Sequence, residues 1–264
     1  FAADFLCFSG DVVFSGNEAS FGAVFEELLD IADSAGLDSQ KIILAPGNHD
    51  ADTDAISREV RRLDGFRTTL AKSESGNALF EDSDLKSYVS NIFDPYVRFA
   101  ELFEDNAADS CWPYYCVKNF LDVSFISINT ALLTGSGLPG LSDENAMLVP
   151  EAALTKALSS VTEGNRVVFV GHHPLEWLAQ PNSKRITSLI ETTGDAYLFG
   201  HVHNAKPTKK TMAHGSIVTN QGGALYQGRD HQAWAGYAIA LTCQTQRSWY
   251  TKTRRWYENR REFD

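Results

Sequence analysis

Short apolar runs alternate with stretches of helical periodicity along the first two thirds of the chain. Residues 5–8, 41–45 and 123–128 are apolar runs of strand length, and the apolar side chains within 21–32 recur every three or four residues. That spacing places them on one face of a helix, and Gly36 is a suitable helix end. Alternation of strands and helices predicts an α/β fold.

The alternation continues to residue 199 and then changes. Further elements are predicted in the order helix, helix, strand, helix and strand, at 56–70, 150–161, 166–170, 184–191 and 196–199. Beyond residue 208, short β segments separated by turns are predicted at 216–219, 237–242 and 248–253. Strand–helix alternation followed by a β-rich tail favours two packed, mostly mixed β-sheets flanked by helices.

Residues 72–118 are less regular. The segment contains loop-like polar stretches, and Pro95 interrupts a helical pattern over 88–103. We therefore interpret 72–118 as a helical and loop insertion that caps one face of a single domain spanning 1–264. The sequence has no internal repeat or low-complexity linker that would divide this domain.

Composition and charge narrow the function classes. The chain has 264 residues, of which 43% are hydrophobic and 22% charged, and it contains no apolar run long enough to span a bilayer. The formal net charge of −11 argues against tight nonspecific binding to nucleic acid, although bound cations could supply positive charge locally. The four cysteines form no zinc pattern and are too few for a disulfide framework, so a cytoplasmic location is predicted.

The C-terminal stretch departs from the acidic trend. Basic side chains lie there among aromatic ones, at Arg247, Lys252, Arg254, Arg255, Arg260 and Arg261 among Trp249, Tyr250, Trp256 and Tyr257. This pattern is typical of a solvated outer strand with long basic side chains. It also fits a surface that binds phosphates and stacks on bases, and both interpretations stay open.

Four short polar segments each follow a strand-like run. They are Gly-Asp at 10–11 with a glycine at 16, Gly-Asn-His-Asp at 47–50, Gly-His-His-Pro at 171–174 and Gly-His-Val-His at 200–203. Ligands of α/β sheets bind where strands end and loops begin. We therefore expect the four segments to meet in one dinuclear metal site.

Asp11 and Asn48 supply oxygen ligands for such a site. A carboxylate has two oxygens and can bridge two cations, and an amide oxygen is a neutral ligand that the turn at Pro46 and Gly47 would aim. His49, next to Asn48, is then free for proton transfer.

The histidine pairs supply nitrogen ligands. His201 and His203 are two residues apart, so in extended backbone they lie on the same side. His172 and His173 are adjacent and point in opposite directions, so only His172 is expected to bind metal. We place His231 only near the substrate.

In this order the four segments resemble the calcineurin-like metallophosphoesterase superfamily, and the resemblance covers residues 5 to about 220. In motif form they are most similar to class III cyclic-nucleotide phosphodiesterases and related phosphodiesterases and nucleases. The resemblance implies a four-layer α/β sandwich and two divalent ions drawn from Mn, Fe, Zn, Ni or Co. It also implies hydrolysis of a nucleotide or nucleic-acid phosphodiester by metal-bound hydroxide.

The resemblance also implies metal-binding roles for individual residues. Asp11 would bridge both ions. Asn48, His172 and His201 would complete the shell of one ion, and His203 would bind the other.

For catalysis, the resemblance implies that His49 acts near the leaving-group oxygen and that Asp50 orients it. We add His173 and His231 as candidates for contact with the substrate.

The chain departs from the superfamily at one motif. The superfamily's first motif, Asp-x-His, occurs nowhere in the sequence, and ten residues precede Asp11. One metal shell is therefore complete, whereas the other has only Asp11 and His203. Two explanations stay open: this form binds a single ion, or the domain is N-terminally incomplete in this sequence, which we favour.

Three functions follow from these observations as alternatives. The first is a phosphodiesterase, the second is a DNA or RNA nuclease effector domain of a larger protein, and the third is a degenerate, non-catalytic binding module. For the first two functions, the expected partner is a phosphodiester substrate. No membrane partner is expected, and further domains of a larger chain are possible partners. The sequence does not indicate an oligomeric state.

Overall fold

The structure is a computed structural model that describes residues 3–72, 76–136, 138–202, 208–212, 215–224, 236–243, 248–257 and 262–263. Its helices are α1 (Glu18–Ser34), α2 (Thr53–Arg58), α3 (Val60–Leu70), α4 (Asn77–Glu81), α5 (Ser83–Glu101), α6 (Glu151–Ser159) and α7 (Asn182–Thr193). Its strands are β1 (Leu6–Ser9), β2 (Ile42–Ala45), β3 (Ala107–Cys111), β4 (Tyr115–Asn119), β5 (Val123–Ile128), β6 (Arg166–Val170), β7 (Ala196–Phe199), β8 (Thr208–Met212), β9 (Gly215–Gln221), β10 (Gly236–Cys243), β11 (Ser248–Tyr257) and β12 (Glu262–Phe263). The predicted α/β class is confirmed.

The large sheet has seven strands in the order β3-β4-β5-β6-β7-β9-β8. Its centre is parallel, from β5 through β6 and β7 to β9, and its two edges are antiparallel. β1 and β2 form a separate parallel pair, and β10, β11 and β12 form an antiparallel sheet. The large sheet is therefore mixed, as predicted.

The pair β1-β2 packs on one face of the large sheet. Ile43 of β2 lies in a buried cluster with Phe125 of β5 and Val168 of β6. The residues that alternate with them on the large sheet, such as Ile126 and Phe169, belong to the cluster that includes α6 and α7. Successive residues of a strand point to opposite faces, so the large sheet is buried on both sides. Each large apolar side chain buried in this way stabilises the fold by about 1.5–3 kcal/mol.

A buried lysine joins the two sheets on the β4 side. The ammonium group of Lys118 donates to the carbonyl oxygens of Ile42 at 3.0 Å and Gln40 at 3.4 Å, and also to that of Phe103. Burial lowers the pKa of Lys118. We call Lys118 with these three carbonyl groups the Lys118 cage, and it ties β4 to the chain that leads into β2.

Residues 72–118 do not form the expected cap. They contribute α5, β3 and β4, and β4 lies between β3 and β5 in the large sheet. Tyr88 and Phe93 of α5 are completely buried, and α5 packs against α1 and α2. α5 continues through Pro95 because its long apolar face compensates for one lost backbone hydrogen bond. Polar residues in β3 and β4 concealed these two strands from the hydrophobic pattern.

The remaining predicted elements agree with the structure to within a few residues. The helix predicted over 56–70 is divided into α2 and α3, which meet at Glu59. The Asp52 carboxylate caps α2 by accepting from the backbone N–H of Asp54 at 2.9 Å and of Ala55 at 3.0 Å. None of the described helices has both the length and the apolar character needed to cross a membrane.

Candidate metal centre

Four strands end at one edge of the fold, and a polar residue follows each of them. Asp11 follows β1, and Asn48 follows β2. His172 follows β6, and His201 follows β7. Because β1 is parallel to β2 and β6 is parallel to β7, the carboxyl ends of each pair lie side by side. Packing of β1-β2 on the large sheet then brings the two pairs together.

One nitrogen or oxygen atom from each of the four side chains lies within about hydrogen-bond distance of His172 Nε2 or is that atom itself. His172 Nε2 lies 2.9 Å from Asn48 Oδ1 and 3.0 Å from His201 Nδ1. It also lies 3.2 Å from Asp11 Oδ2, and His201 Nδ1 lies 3.0 Å from Asn48 Oδ1. Two ligands at a right angle, each about 2.1 Å from one cation, are about 3.0 Å apart. These separations therefore suit the bond lengths of a transition-metal ion.

Hydrogen bonds around these atoms leave lone pairs facing one another. His172 Nδ1 lies 2.7 Å from the carbonyl oxygen of Ser9, which can only accept. Nδ1 therefore carries the proton, and Nε2 of the neutral ring carries a lone pair. Asn48 Nδ2 donates to Ser136 Oγ at 2.9 Å, which turns Asn48 Oδ1 towards the histidines. The lone pairs of His172 Nε2 and Asn48 Oδ1 repel at 2.9 Å, and a cation between them would relieve this repulsion, so these residues fit a divalent metal ion.

Two glycines allow the ligand-bearing loops to approach this closely. A Cβ atom on Gly10 would lie 2.4 Å from His172 Nδ1, and one on Gly47 would lie 2.2 Å from Asp11 Oδ1. Both distances are shorter than any real contact, so a side chain at either position would push the loops apart. Gly10 also has a φ of +89°, a region that glycine enters at little cost.

Asp11 and His201 both have left-handed backbone conformations, with φ values of 55° and 68°. This region costs L-residues on the order of 1–3 kcal/mol each and is concentrated at functional sites. The strain at Asp11 is held in part by a hydrogen bond, because its Oδ1 accepts from the backbone N–H of His49 at 2.9 Å.

Asp11 and His172 shift each other's pKa. Burial alone would raise the pKa of Asp11, but His172 and His49 lower it well below its ordinary value. Burial lowers the pKa of His172, and the carboxylate of Asp11 more than offsets this and raises it. Asp11 is therefore ionised at neutral pH, as a carboxylate ligand must be.

Asp50 holds two loops together instead of orienting His49. Its buried carboxylate accepts from the backbone N–H of Gly47 at 2.8 Å and of Val13 at 3.1 Å. In the part of the chain that the structure describes, its hydrogen bonds do not include the imidazole of His49, because the turn aims the carboxylate at the backbone. Burial raises the pKa of Asp50 to about 7, and the charge of Asp11 adds to this rise. We therefore assign Asp50 to positioning the loops.

His49 lies beside an exposed phenylalanine. Its Nδ1 donates to the carbonyl oxygen of Phe14 at 3.2 Å. The two rings are stacked, with centroids 5.1 Å apart and planes 18° from parallel, and Phe14 is 85% exposed. With Nδ1 engaged, Nε2 is the nitrogen of His49 that can exchange a proton with a bound group.

His173 is completely buried beside His172 and His201. Thr130 Oγ1 accepts the backbone N–H groups of His172 at 3.2 Å and of His173 at 2.9 Å, so its own proton goes to His173 Nδ1 at 3.1 Å. His173 Nε2 then carries the other ring proton and has no hydrogen-bond partner among the described residues. Nitrogens of His172, His173 and His201 lie within 4.8 Å of one another, but in this tautomer His173 Nε2 carries a proton in place of the lone pair that a metal ion needs. Burial also lowers the pKa of His173 and keeps the ring neutral.

His203 and His231 lie outside the described residues. The second metal shell and a contact between His231 and the substrate therefore stay predictions.

Four residues near the site were not singled out from the sequence: Phe14, Thr130, Ser136 and Trp177. Thr130 had a usable signal, because it follows the parallel strand β5 at the same edge as the ligands. Phe14 lies between Gly10 and Gly16, inside a segment that had been noted for its glycines. Ser136 and Trp177 carry no sequence signal: Ser136 contacts Asn48 from a distant segment, and Trp177 lies in a short 3-10 helix with its ring centroid 4.4 Å from that of His201.

The model of the calcineurin-like phosphoesterase family matches residues 2–205, which contain all four converging side chains. Among curated proteins, the uncharacterized metallophosphoesterase-like protein YydB of Bacillus subtilis (strain 168) is 27% identical over 214 residues. The aligned region is 76% of this chain and 41% of that protein, so the chain spans about two fifths of its relative's length.

Among solved structures, the sulfate thiohydrolase SoxB of Thermus thermophilus, in complex with glycerol, is similar to this chain with a TM-score of 0.36 and 13% identity. The match covers 88% of this chain and 42% of that protein.

Proposed function

Because this chain belongs to the calcineurin-like phosphoesterase family, whose members are metal-dependent phosphoester hydrolases, we propose that it is a phosphodiesterase acting on a nucleotide or nucleic-acid phosphodiester. The observation that carries the proposal is that three potential ligand atoms, Asp11 Oδ2, Asn48 Oδ1 and His201 Nδ1, all lie within 3.2 Å of a fourth, His172 Nε2. We also propose that 1–264 belong to one metallophosphoesterase domain.

Asp11, Asn48, His172 and His201 would hold one divalent ion. We propose that Asp11 and His203 would hold a second ion. Bound divalent ions would supply Lewis acidity, which neutralises phosphate charge and lowers the pKa of water. The ligands are imidazole, carboxylate and amide, without a thiolate, and this set suits Mn, Fe, Zn, Ni or Co.

The imidazolium form of His49 is proposed as the proton donor to the departing oxygen: it gives up the proton on Nε2 and keeps the one on Nδ1. Its Nδ1–H is fixed on the carbonyl of Phe14, which sets the ring orientation and leaves Nε2 for proton transfer. The backbone N–H of His49 is bonded to the ligand Asp11, so the imidazole is held next to the proposed metal ion.

The phenylalanine beside His49 supports a substrate with a flat leaving group. Phe14 is exposed although it lies in a loop fixed by Val13, whose N–H is bonded to Asp50. An exposed aromatic ring next to the proton donor offers a stacking surface for a nucleobase, and such stacking is worth about 1–3 kcal/mol per base.

A nuclease is the second candidate function, and the strand β11 favours it. Lys252 and Arg255 are exposed on this strand, and Tyr250 is 62% exposed. Basic and aromatic side chains on one strand suit a single nucleic-acid strand. The two candidates are separated by assaying the full-length protein on 3′,5′-cyclic AMP, single-stranded DNA, double-stranded DNA and RNA.

The general proposal is tested with the full-length protein, stripped with EDTA and reloaded separately with Mn(II), Zn(II), Ni(II) or Co(II). We expect bis-p-nitrophenyl phosphate to be hydrolysed only after reloading. Asn48→Ala should lower metal content and activity together, whereas Asn91→Ala, at an exposed asparagine of α5, is the matched control and should change neither. A protein that binds metal but hydrolyses no phosphodiester would instead be the degenerate binding module.

A further inference from the structure

A chain of hydrogen bonds runs from α3 through the loop 129–143 to the side chain of Asn48. We propose that Ser136 is a positioning residue for the metal ligand Asn48, and that Asp143 and Arg67 hold Ser136 in place. This inference rests on the proposed function, because it concerns the same metal centre.

The two ends of the Asn48 amide have different partners. Nδ2 donates to Ser136 Oγ at 2.9 Å, and Oδ1 lies 2.9 Å from His172 Nε2 and 3.0 Å from His201 Nδ1. Only the amide oxygen has a lone pair suited to a cation, because the amide nitrogen carries two protons. By accepting from Nδ2, the hydroxyl of Ser136 stabilises the orientation in which Oδ1 faces the histidines and Asn48 can bind a metal ion.

Hydrogen bonds to Thr134 and Asp143 hold the turn that carries Ser136. The backbone N–H of Ser136 donates to Thr134 Oγ1 at 3.0 Å, and that hydroxyl donates to Asp143 Oδ2 at 2.6 Å. The backbone N–H of Gly135 donates to Asp143 Oδ1 at 2.8 Å. One carboxylate thus fixes the turn that carries Ser136, and Thr134 is completely buried.

The carboxylate of Asp143 is paired with Arg67 of α3. Arg67 Nη2 lies 2.7 Å from Asp143 Oδ1, with side-chain exposures of 13% for Arg67 and 9% for Asp143. The same guanidinium donates to the carbonyl of Leu133 at 2.7 Å and 3.0 Å and to that of Ser142 at 2.9 Å. Arg67, which belongs to α3, therefore connects Leu133 on one side of Ser136 with Ser142 on the other.

The consequence is that residues without metal contact set the metal affinity. Hydrogen-bond partners of metal ligands change affinity by about 10-fold to 100-fold when they are removed. A purely structural role for Ser136 would instead lower stability without changing the metal affinity of the folded protein.

The experiment uses two substitutions of matched shape. Ser136→Val removes the hydroxyl, and Ser136→Thr retains it. Mn(II) binding to the EDTA-stripped, full-length protein is measured by isothermal titration calorimetry, and the thermal midpoint of each stripped variant is recorded. We expect Ser136→Val to bind Mn(II) about 10-fold more weakly, Ser136→Thr to bind as the unsubstituted protein does, and Ser142→Ala, on the same loop, to have no effect.

A double substitution tests whether the effect passes through Asn48. In an Asn48→Ala background, Ser136→Val should cause no further loss of Mn(II) affinity, since the amide that it orients is gone. An equal loss in both backgrounds, or unchanged affinity of Ser136→Val in the natural background, would overturn the inference. Failure of the unsubstituted protein to bind Mn(II) or hydrolyse any phosphodiester would refute the proposed function itself.

Discussion

The candidate metal centre, formed by Asp11, Asn48, His172 and His201, and the Lys118 cage are two buried polar clusters. They differ in whether the chain itself supplies a cation. In the Lys118 cage, carbonyl oxygens surround a cation that belongs to the chain, the ammonium group of Lys118. At the candidate metal centre, Asn48 Oδ1, His172 Nε2 and His201 Nδ1 lie 2.9–3.0 Å from one another, and the chain places no cation of its own among the described atoms there. Buried acceptor groups are costly without a partner, so we infer that a cation completes each cluster: the lysine of the chain in one and a bound metal ion in the other.

The largest expected effect comes from removing His172, the central residue of the proposed metal site. His172 contacts each of the other three candidate ligands, so His172→Ala should remove bound metal and reduce kcat/KM by at least about 10³-fold, several kcal/mol of lost transition-state stabilisation. Elemental analysis and steady-state kinetics check both results. Retention of metal and activity would show that the edge is a structural cluster like the Lys118 cage.

The next effect separates proton transfer from metal binding at the same edge. His49→Ala should slow kcat by about 10²-fold or more, because the leaving oxygen loses its proton donor. The metal content should stay unchanged, because the His49 side chain is not a proposed ligand. Loss of metal equal to that of Asn48→Ala would contradict the role given to His49.

Substitution in the Lys118 cage should affect stability alone. Lys118→Met keeps an unbranched apolar stem and removes the ammonium group, which leaves the carbonyls of Ile42 and Phe103 without this donor. We expect the free energy of unfolding to fall by about 1–3 kcal/mol in urea titrations. Metal content and kcat/KM should match the unsubstituted protein, and a loss of metal would show that the two clusters are not independent.

The smallest effect concerns the aromatic surface beside His49. Phe14→Ala should raise the inhibition constant of phenyl phosphate about 10-fold, because stacking contributes about 1–3 kcal/mol. The inhibition constant of methyl phosphate should not change, and Phe14→Tyr should bind both inhibitors normally. Equal weakening of both inhibitors would mean that Phe14 acts by orienting His49 and not by stacking.

The sequence was sufficient for features that follow from local pattern. β5, β6 and β7 have the predicted bounds, because buried parallel strands are continuous apolar runs. Asp11, Asn48, His172 and His201 were predicted to meet because each follows such a strand, and the structure brings these four together.

Features that depend on distant contacts were not accessible in the same way. β4 contains Lys118, whose burial is possible only because carbonyl groups from other segments surround it. Asp50 was expected to orient its neighbour in sequence, yet the turn directs its carboxylate to the backbone N–H groups of Gly47 and Val13. Ser136 is separated from Asn48 by 88 residues, and no local pattern marks such a contact.

Anomalous diffraction from crystals of the full-length protein grown with Mn(II) would show whether Asp11, Asn48, His172 and His201 bind one metal ion. We predict a peak at about 2.0–2.3 Å from Asn48 Oδ1, His172 Nε2 and His201 Nδ1, with Asp11 in the same shell. A Mn(II) peak elsewhere in the protein, with these four side chains bound only to one another, would contradict the account.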